Sequence, residues 1–376
     1  MLLEPLPTTQ PLRLLVGGPV RKEPTLFRRH LDTVARQILP PNVELIPAYV
    51  DDNTNPETST MLREFCEERK GFHLDARQQG PEGLYTDSGV THAWDGAAMR
   101  RVAQHKNALI QLALTERYDG LWLVDADLLF HDRTLWSLWH SDGPIVCGVF
   151  WTQWQNIPNC PSLPQVWLRH PYELGGRGME PEEFLRHLHD RERVRVWGQG
   201  ACTLYRRDAL VKGLTFDLLP DLPTEGMWQG EDRHLCTRAE RLYIPMFGDA
   251  WPDIFHVYHP HQLDDGIKWL ESGANLDADG PVRLGHLVSC VLESLEPVPH
   301  ADGSWVPIPA QHVRGVLGRL PLALDLEDAI LTMQRGEQRI VPVRYPRWAP
   351  GPFRNGQRLI QVTLVDYKLF DPPVNT

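Results

Sequence analysis

Short apolar runs that end in glycine or aspartate alternate with helical patterns along the first 260 residues of this 376-residue chain. LRLLVGG (12–18) is followed by a helical pattern at 24–39, and NVELIPAYVDDN (42–53) by another behind Thr54 or Asn55 as its cap. Strands that are separated by helices pair side by side in one direction. The order therefore favours an open, mostly parallel α/β sheet flanked by helices.

The alternation continues as far as residue 262 and then stops. Apolar runs that predict strands lie at 120–130, 144–151, 194–207, 242–246 and 254–257, and helical patterns lie at 96–117, 181–191 and 230–241. Residues 70–95 are rich in Gly, Asp and Gln and predict a long loop. Short apolar runs and many prolines then replace this pattern, so we expect a sheet domain over 1–275 and a small β-rich appendage over 276–376.

The composition excludes several classes of protein. With 42% hydrophobic and 23% charged residues, the chain has the composition of a soluble globular protein. A net charge of −11 argues against general binding of nucleic acid. No apolar run approaches the roughly 20 residues that a membrane span needs, and the amino end lacks the pattern of a signal peptide.

The cysteines also limit the interpretation. Six cysteines are spread along the chain without C-x-x-C spacing. This distribution favours reduced thiols and a cytoplasmic location over a disulfide framework or a zinc site. The pattern leaves the oligomeric state open.

Acidic residues cluster where predicted strands end or helices begin. The three clusters are Asp51 with Asp52, Asp125 with Asp127, and Glu231 with Asp232. An open α/β sheet forms its ligand crevice at the carboxyl ends of its strands. In D-x-D on an extended segment both carboxylates point the same way, so they can face one divalent cation and one ligand. The clusters therefore predict a binding site at this edge of the sheet.

The same three segments resemble a known family. In order along the chain, YVDDNTN, LVDADLLF and GEDRHLCTRAERL resemble the signature motifs of family-2-like GT-A glycosyltransferases, over roughly residues 12–262. The resemblance implies a Rossmann-like GT-A fold and transfer of a sugar from a UDP- or GDP-sugar to a carbohydrate or other hydroxyl acceptor. It also implies a Mn²⁺ or Mg²⁺ ion. The chain departs from the pattern at Asn53, where the family has glycine.

The resemblance implies roles for the donor-side residues. Asp52, together with Asp51, is expected to meet the base or ribose of the nucleotide. Asp127 is expected to ligate the metal on the diphosphate, with Asp125 near the ribose and the metal. Lys106 stands on the preceding helix, where the family often carries a basic residue toward the diphosphate. Turn and helix-capping roles remain open for the first acidic pair.

Transfer with inversion needs a carboxylate that takes the proton of the acceptor hydroxyl. Asp232 is our candidate base, and Glu231 is the alternative member of the pair; both could also be ordinary acids at a helix N-terminus. By resemblance, Gly198 and Gly200 let the acceptor approach the backbone closely. Trp228 is expected to offer a surface on which the acceptor stacks.

A histidine downstream completes the metal site in many GT-A enzymes. DIFHVYHPHQ offers His256 and His259. Strand alternation places these two on opposite faces, so both cannot face the site if the strand continues. We expect His259 as the ligand because the strand should end at Pro260, and we keep His256 as the alternative.

Other functions remain open at this point. D-x-D is equally apt for a retaining GT-A enzyme that resembles Anp1-type mannosyltransferases. A nucleotidyltransferase is disfavoured because LVGGPVRKEPT is a poor match to a Gly-rich phosphate loop. A sugar-binding module without catalysis would not require both a metal site and a base.

Overall fold

The computed structural model divides the chain into two compact units, Met1–Glu271 and Ser272–Thr376. The division lies close to the boundary expected near residue 275. The structure describes residues 11–40, 42–77, 86–87, 92–93, 95–154, 162–168, 179–224, 230–271, 286–295, 298–299, 305–306, 310–316, 326, 329–331, 333–334, 336–344 and 357–369.

Among its described residues, the first unit holds eight helices and seventeen strands. The helices are α1 (Pro24–Ala35), α2 (Pro56–Glu68), α3 (Gly96–Thr115), α4 (Thr134–His140), α5 (Pro181–His189), α6 (Arg207–Leu210), α7 (Glu231–Arg241) and α8 (Leu263–Glu271), with a 3₁₀ turn at Pro260–Gln262. The strands are β1 (Leu12–Gly17), β2 (Pro19–Val20), β3 (Val43–Asp51), β4 (Phe72–Asp75), β5 (Thr86–Asp87), β6 (His92–Ala93), β7 (Gly120–Val124), β8 (Leu128–Phe130), β9 (Ile145–Gly148), β10 (Trp151–Thr152), β11 (Leu163–Pro164), β12 (Val166–Trp167), β13 (Arg193–Val196), β14 (Gly198–Gln199), β15 (Cys202–Arg206), β16 (Met246–Asp249) and β17 (Ile254–His256).

A 9-stranded sheet in the order β13-β16-β9-β15-β7-β1-β3-β2, with β4 beside β3, forms the centre of this unit. β15 runs antiparallel to β7 and β9, and β13 runs antiparallel to β16. All other neighbours in this sheet are parallel. The structure thus confirms the predicted open, mostly parallel sheet.

The central strand β7 is buried along its whole length and divides the core into two layers. Leu121 and Leu123 pack into one apolar layer, with side chains of α3, α5 and α7. Trp122 and Val124 pack into the other, with side chains of α1, α2 and α4. The period of two along β7 therefore places helices on both faces of the sheet, as the alternation in the sequence predicts.

Helix ends and strand ends refine the expected elements. Asn55 caps α2, since its side chain accepts a hydrogen bond from the Glu57 backbone N–H at 2.9 Å. The loop expected at 70–95 contains β4, β5 and β6, and the strands expected at 144–151 and 194–207 are each broken into shorter ones. Two further expected strands also differ. The run at 120–130 is interrupted at residues 125–127, and the strand expected at 242–246 is β16, which begins only at Met246.

The second unit is an antiparallel sheet. Its strands are β18 (His286–Ser294), β19 (Val298–Pro299), β20 (Trp305–Val306), β21 (Gln311–Val316), β22 (Gln338–Arg344) and β23 (Gln357–Leu369). Four of them form a sheet in the order β21-β18-β23-β22. Val288, Cys290, Val362 and Leu364 lie in the apolar layer of this sheet. The carboxyl-terminal part is therefore β-rich, as expected.

A search of the described helices for a stretch long and apolar enough to cross a bilayer finds none.

Candidate functional site

The carboxyl ends of β1, β3 and β7 lie at one edge of the sheet, because these strands are parallel neighbours. Asp51 is the last residue of β3, and Asp125 directly follows β7. α7 brings Glu231 and Asp232 to the same edge, where basic side chains of α3 contact members of all three acidic clusters. The structure therefore brings together residues that are up to 181 positions apart in sequence, as Asp51 and Asp232 are.

Asp51 is fully buried and uses its oxygens inside the protein. Oδ1 accepts hydrogen bonds from the backbone N–H and side-chain amide of Asn53, at 3.1 and 2.8 Å, and from the Ser59 hydroxyl at 3.0 Å. Oδ2 lies 2.9 Å from His73 Nε2. These bonds fix the turn after β3, which agrees with the turn role left open for this residue.

Asp52 forms a buried ion pair with α3. Arg101 binds both carboxylate oxygens, with Nε 2.9 Å from Oδ2, and His105 Nε2 lies 3.6 Å from Oδ2. Burial alone would raise the pKa of Asp52, but the neighbouring His105 and the hydrogen-bonded Arg101 outweigh burial and lower it. Asp52 therefore stays charged and is held by the helix.

Lys106 lies one position beyond His105 and contacts three carboxylates. Its ammonium nitrogen is 2.6 Å from Glu231 Oε1, 3.0 Å from Asp232 Oδ1 and 3.8 Å from Asp125 Oδ1. Lys106 is 1% exposed. We refer to Lys106, Asp125, Glu231 and Asp232 as the Lys106 cluster.

Charge is unevenly balanced in the Lys106 cluster. Burial alone would lower the pKa of Lys106, but Asp232, Glu231 and Asp125 together hold it well above its usual value. Although 38% of the Asp125 side chain is exposed, burial of its surroundings raises its pKa to about 7; Lys106 opposes this shift and the neighbouring carboxylates reinforce it. Burial also raises the pKa of Asp232 to about 6, opposed by Lys106 and reinforced by Glu231. Asp125 and Asp232 are therefore the two acids of this cluster that titrate near neutral pH.

Asp127 belongs to a different group of residues. Lys22 Nζ lies 2.6 Å from its Oδ2, and His256 Nε2 lies 3.5 Å from its Oδ1. Burial alone would raise the pKa of Asp127, but Lys22 and His256 hold it well below its usual range. We refer to Lys22, Asp127 and His256 as the Lys22 cluster.

The two acids of D-x-D are separated by the path of the backbone. β7 ends at Val124, and the chain turns at residues 125–127, where the Leu128 N–H bonds to the Asp125 carbonyl at 3.3 Å. The expectation of an extended D-x-D segment is therefore wrong. Because the segment is a turn, each acid contacts a different lysine.

Sequence reasoning missed Lys22, which follows β2. Its backbone N–H donates to the Asn53 side chain at 3.0 Å, and its carbonyl accepts from the Thr58 hydroxyl at 3.0 Å. Asn53 thus connects the segment carrying Lys22 to Asp51, a contact that glycine could not make. No motif in the sequence marks Lys22, because its partner Asp127 lies 105 residues away.

His256 and His259 lie in different surroundings. His256 ends β17, which pairs with β8, and its Nδ1 is 2.8 Å from the Thr152 hydroxyl. His259 Nε2 lies 3.1 Å from the Gln153 carbonyl. The histidine next to Asp127 is therefore His256, although we expected His259 there. Metal binding by either histidine stays a prediction.

Of the three residues expected to contact the acceptor, the structure describes Gly198 and Gly200. A Cβ on Gly198 would lie 2.0 Å from the Trp167 ring, and one on Gly200 would lie 2.9 Å from Gln165 Oε1. Both glycines thus have close packing partners within the protein, and acceptor binding by them stays a prediction. Trp228 lies outside the described residues.

The glycine pair at the end of β1, Gly17 and Gly18, serves the packing of the sheet. A Cβ on Gly17 would lie 1.8 Å from the Ala48 carbonyl oxygen, and one on Gly18 would lie 2.1 Å from that of Val124. Glycine is therefore required for close approach of three neighbouring strands. This use of LVGG adds to the case against a phosphate-binding loop.

Comparison with known proteins finds likeness in solved structures alone. No protein-family model and no curated protein matches the sequence. TarS of S. aureus is 15% identical with a TM-score of 0.40, over 71% of this chain and 40% of TarS. TarS 1–349 in complex with UDP is 13% identical with a TM-score of 0.39, over 71% of this chain and 67% of that one.

A third structure is the mannosyltransferase PcManGT from Pyrobaculum calidifontis in complex with GDP-Man and Mn²⁺. It is 16% identical with a TM-score of 0.35, over 70% of this chain and 63% of that one. The chain thus spans about two fifths of full TarS and under two thirds of PcManGT. Likeness at this level carries no argument about activity.

Proposed function

We propose that the first unit is a metal-dependent GT-A glycosyltransferase of the family-2 type. It moves a sugar from a nucleoside-diphosphate sugar to a carbohydrate or other hydroxyl acceptor, with inversion at the anomeric carbon. The observation that carries the proposal is the meeting of the three acidic clusters around α3. A transferase of this type needs both a charged cation site and an acid that exchanges its proton near neutral pH.

The Lys22 cluster suits a hard divalent cation. Among the described residues no group of three His, Cys, Asp or Glu side chains is arranged to hold a metal. However, Asp127 Oδ1 is buried without a hydrogen-bond partner in the described chain and faces His256 Nε2 at 3.5 Å. Neighbouring ligands of an octahedral Mg²⁺ site lie about 3 Å apart, so the two atoms are close to a ligand pair.

We therefore assign Asp127 and His256 as protein ligands of Mn²⁺ or Mg²⁺. The Thr152 hydroxyl can accept a hydrogen bond from His256 Nδ1, which leaves Nε2 free to ligate. When bound, the ion neutralises charge on the diphosphate as it departs. Lys22 adds a second positive charge on the other oxygen of Asp127. Asp125 stays a candidate contact of the ribose and the metal.

Asp232 is the better candidate for the base. Its side chain is 25% exposed, whereas that of Glu231 is 7% exposed and lies closer to the Lys106 ammonium. A base must reach the acceptor hydroxyl and have a pKa near the working pH. With a pKa of about 6, Asp232 is ionised at neutral pH and still basic enough to take a proton.

On the nucleotide side we propose Asp52 as the contact of base or ribose. The oxygens of Asp51 are already used by the turn after β3, so Asp51 supports this contact through the backbone.

We also propose a cytoplasmic location. The five cysteines of the described chain are buried free thiols, and burial raises the pKa of Cys66 and of Cys147 to about 12. Thiols in this state are unreactive, which suits a reducing compartment.

A donor screen tests the proposal. UDP, GDP and dTDP are added to the protein with Mn²⁺ or with EDTA, and the unfolding temperature is measured. We expect one nucleotide to stabilise the protein with Mn²⁺ and not with EDTA, because the acids of D-x-D repel a bare diphosphate. Asp127→Asn is the matched variant and should lose this stabilisation. Equal stabilisation in EDTA, or none with any nucleotide, contradicts the proposal.

A further inference from the structure

We propose that Lys106 is a positioning residue for the candidate base: it holds Asp232 and Glu231 at the start of α7 and does not bind the diphosphate of the donor. This inference rests on the proposed function, since it assigns Lys106 a task within the transfer reaction. It also replaces the role implied by the resemblance, which turns Lys106 toward the diphosphate.

The ammonium group of Lys106 directs most of its bonding capacity to acids of the protein. An ammonium has three N–H donors. Three carboxylates surround Lys106, with oxygen atoms of Glu231, Asp232 and Asp125 at 2.6, 3.0 and 3.8 Å. Glu231 and Asp232 accept hydrogen bonds from two of these donors, and Asp125 adds an ion-pair contact at a distance longer than a hydrogen bond.

Burial makes such an exchange costly. Lys106 is 1% exposed, and its ammonium lies 5.1 Å from the centre of the Phe216 ring. Phe216 is itself fixed to α3, because its backbone N–H donates to Asn107 Oδ1 at 2.7 Å. To reach a ligand, Lys106 would have to leave two acids unpaired in a buried place.

The position of Asp232 depends on this contact. α7 begins at Glu231 behind Gly230, which has no side chain to cap the helix. The two acids of its first turn are adjacent, so their charges repel each other without a cation between them. Lys106 bonds to both and therefore determines where the exposed part of Asp232 lies.

Steady-state kinetics separate the two roles of Lys106. Lys106→Met, Lys106→Arg and wild type are compared at varied donor and acceptor concentrations. We expect Lys106→Met to lower kcat by about 10²-fold, the usual effect of a small misplacement of a catalytic group, with the donor KM changed by less than about 3-fold. Lys106→Arg keeps the charge and should recover part of kcat.

Arg100→Met is the matched control for charge. Arg100 is an exposed basic residue on the same helix, so this substitution removes one positive charge without touching the cluster. We expect it to leave kcat and the donor KM unchanged. A rise of the donor KM by 10-fold or more in Lys106→Met, with kcat kept, overturns the inference in favour of a diphosphate contact.

A stability cycle tests the cluster without any turnover. Lys106→Met should lower the unfolding temperature, because three carboxylates then face one another without their cation. Adding Glu231→Gln to Lys106→Met should recover part of the loss, while Glu231→Gln alone should lower the unfolding temperature. Strictly additive shifts overturn the inference. A wild-type protein that transfers no sugar from any donor overturns the proposed function, and the cycle still decides whether Lys106 holds the acids.

Discussion

The two acids of D-x-D lie two residues apart and belong to clusters of different charge balance. In the Lys22 cluster, a lysine and a histidine face the single carboxylate of Asp127, and its pKa is held low. In the Lys106 cluster, a single lysine faces three carboxylates, and the pKa values of Asp125 and Asp232 rise to about 7 and about 6.

This difference separates two kinds of chemistry. A carboxylate that stays charged at every working pH suits a cation, whereas one that titrates near neutrality suits proton transfer. The turn at residues 125–127 makes the separation possible, because it directs neighbouring acids of the chain to different lysines. Spacing in the sequence thus identifies the motif, and the surrounding charges decide what each acid can do.

Removing the acid of the Lys22 cluster should have the largest effect on activity. Asp127→Asn keeps the size of the side chain and removes its charge, so we expect transfer to fall by about 10³-fold or more and the Mn²⁺-dependent stabilisation by nucleotide to disappear. Initial rates with the preferred donor and the unfolding temperature measure these effects. Residual activity in proportion to the folded fraction would instead assign Asp127 a purely structural role.

Removing the candidate base of the Lys106 cluster should affect chemistry and leave donor binding intact. We expect Asp232→Asn to lower kcat by about 10²–10⁴-fold at an unchanged affinity for nucleotide and metal. Because the base must be ionised, the wild-type rate should rise with pH through about 6, and the variant should lose this rise.

The stereochemistry of the product gives an independent test of the same residue. The anomeric proton signal in the NMR spectrum should show a configuration opposite to that of the donor. Retention would remove Asp232 as the base of a single displacement and favour a retaining mechanism. A larger loss of kcat in Glu231→Gln than in Asp232→Asn would assign the base to the other acid of the pair.

The sequence predicted the sheet because its signals are local. β7 is apolar at each buried position, and the period of two along it follows from strand geometry. Asn55 was one of two candidate helix caps for the same reason, because a cap is recognised from the residues next to it. β4 could not be predicted, because four residues with two polar side chains carry little signal and its place depends on pairing with β3.

The acidic residues of the site could be predicted from the sequence. The basic residues that each acid contacts could not. Acidic residues at strand ends are visible in the sequence, and their meeting at one edge follows from parallel pairing. Lys22 and Arg101 carry no such signal, because their partners lie 105 and 49 residues away. The choice of His256 over His259 as neighbour of Asp127 depends on the pairing of β17 with β8, a contact between distant parts of the chain.

The histidines allow the Lys22 cluster to be tested more finely. We expect His256→Gln to raise the Mn²⁺ concentration needed for half-maximal activity by about 10-fold or more, because it removes an imidazole next to Asp127 Oδ1. His259→Gln is the matched control and should change it little. The reverse order of effects would restore His259 as the metal ligand.

The smallest expected effect is on the pH dependence of the stability of the metal-free protein. It has opposite signs for Asp125, whose pKa is raised by folding, and for Asp52, whose pKa is lowered. The folded-state pKa of Asp125, about 7, exceeds the value of about 3.9 in an unfolded chain. The folded state therefore holds the proton more tightly, and its stability falls as the pH rises from about 4 to about 7. Asp125→Asn should raise the free energy of unfolding at pH 8 by about 1 kcal/mol, a modest gain since water screens the exposed part of this side chain.

Urea unfolding at pH 5 and pH 8 in EDTA measures this gain, which should be present at pH 8 and shrink at pH 5. Asp52→Asn is the control with the opposite sign: the pKa of Asp52 is lowered in the folded state, so its contribution is present above the unfolded value and is lost as the pH falls below it. At pH 8 this variant should lose about 3 kcal/mol, because it breaks the buried ion pair between Asp52 and Arg101. If Asp125→Asn also destabilises the protein at pH 8, the excess of negative charge in the Lys106 cluster is not a cost to the fold, and the contrast between the two clusters fails.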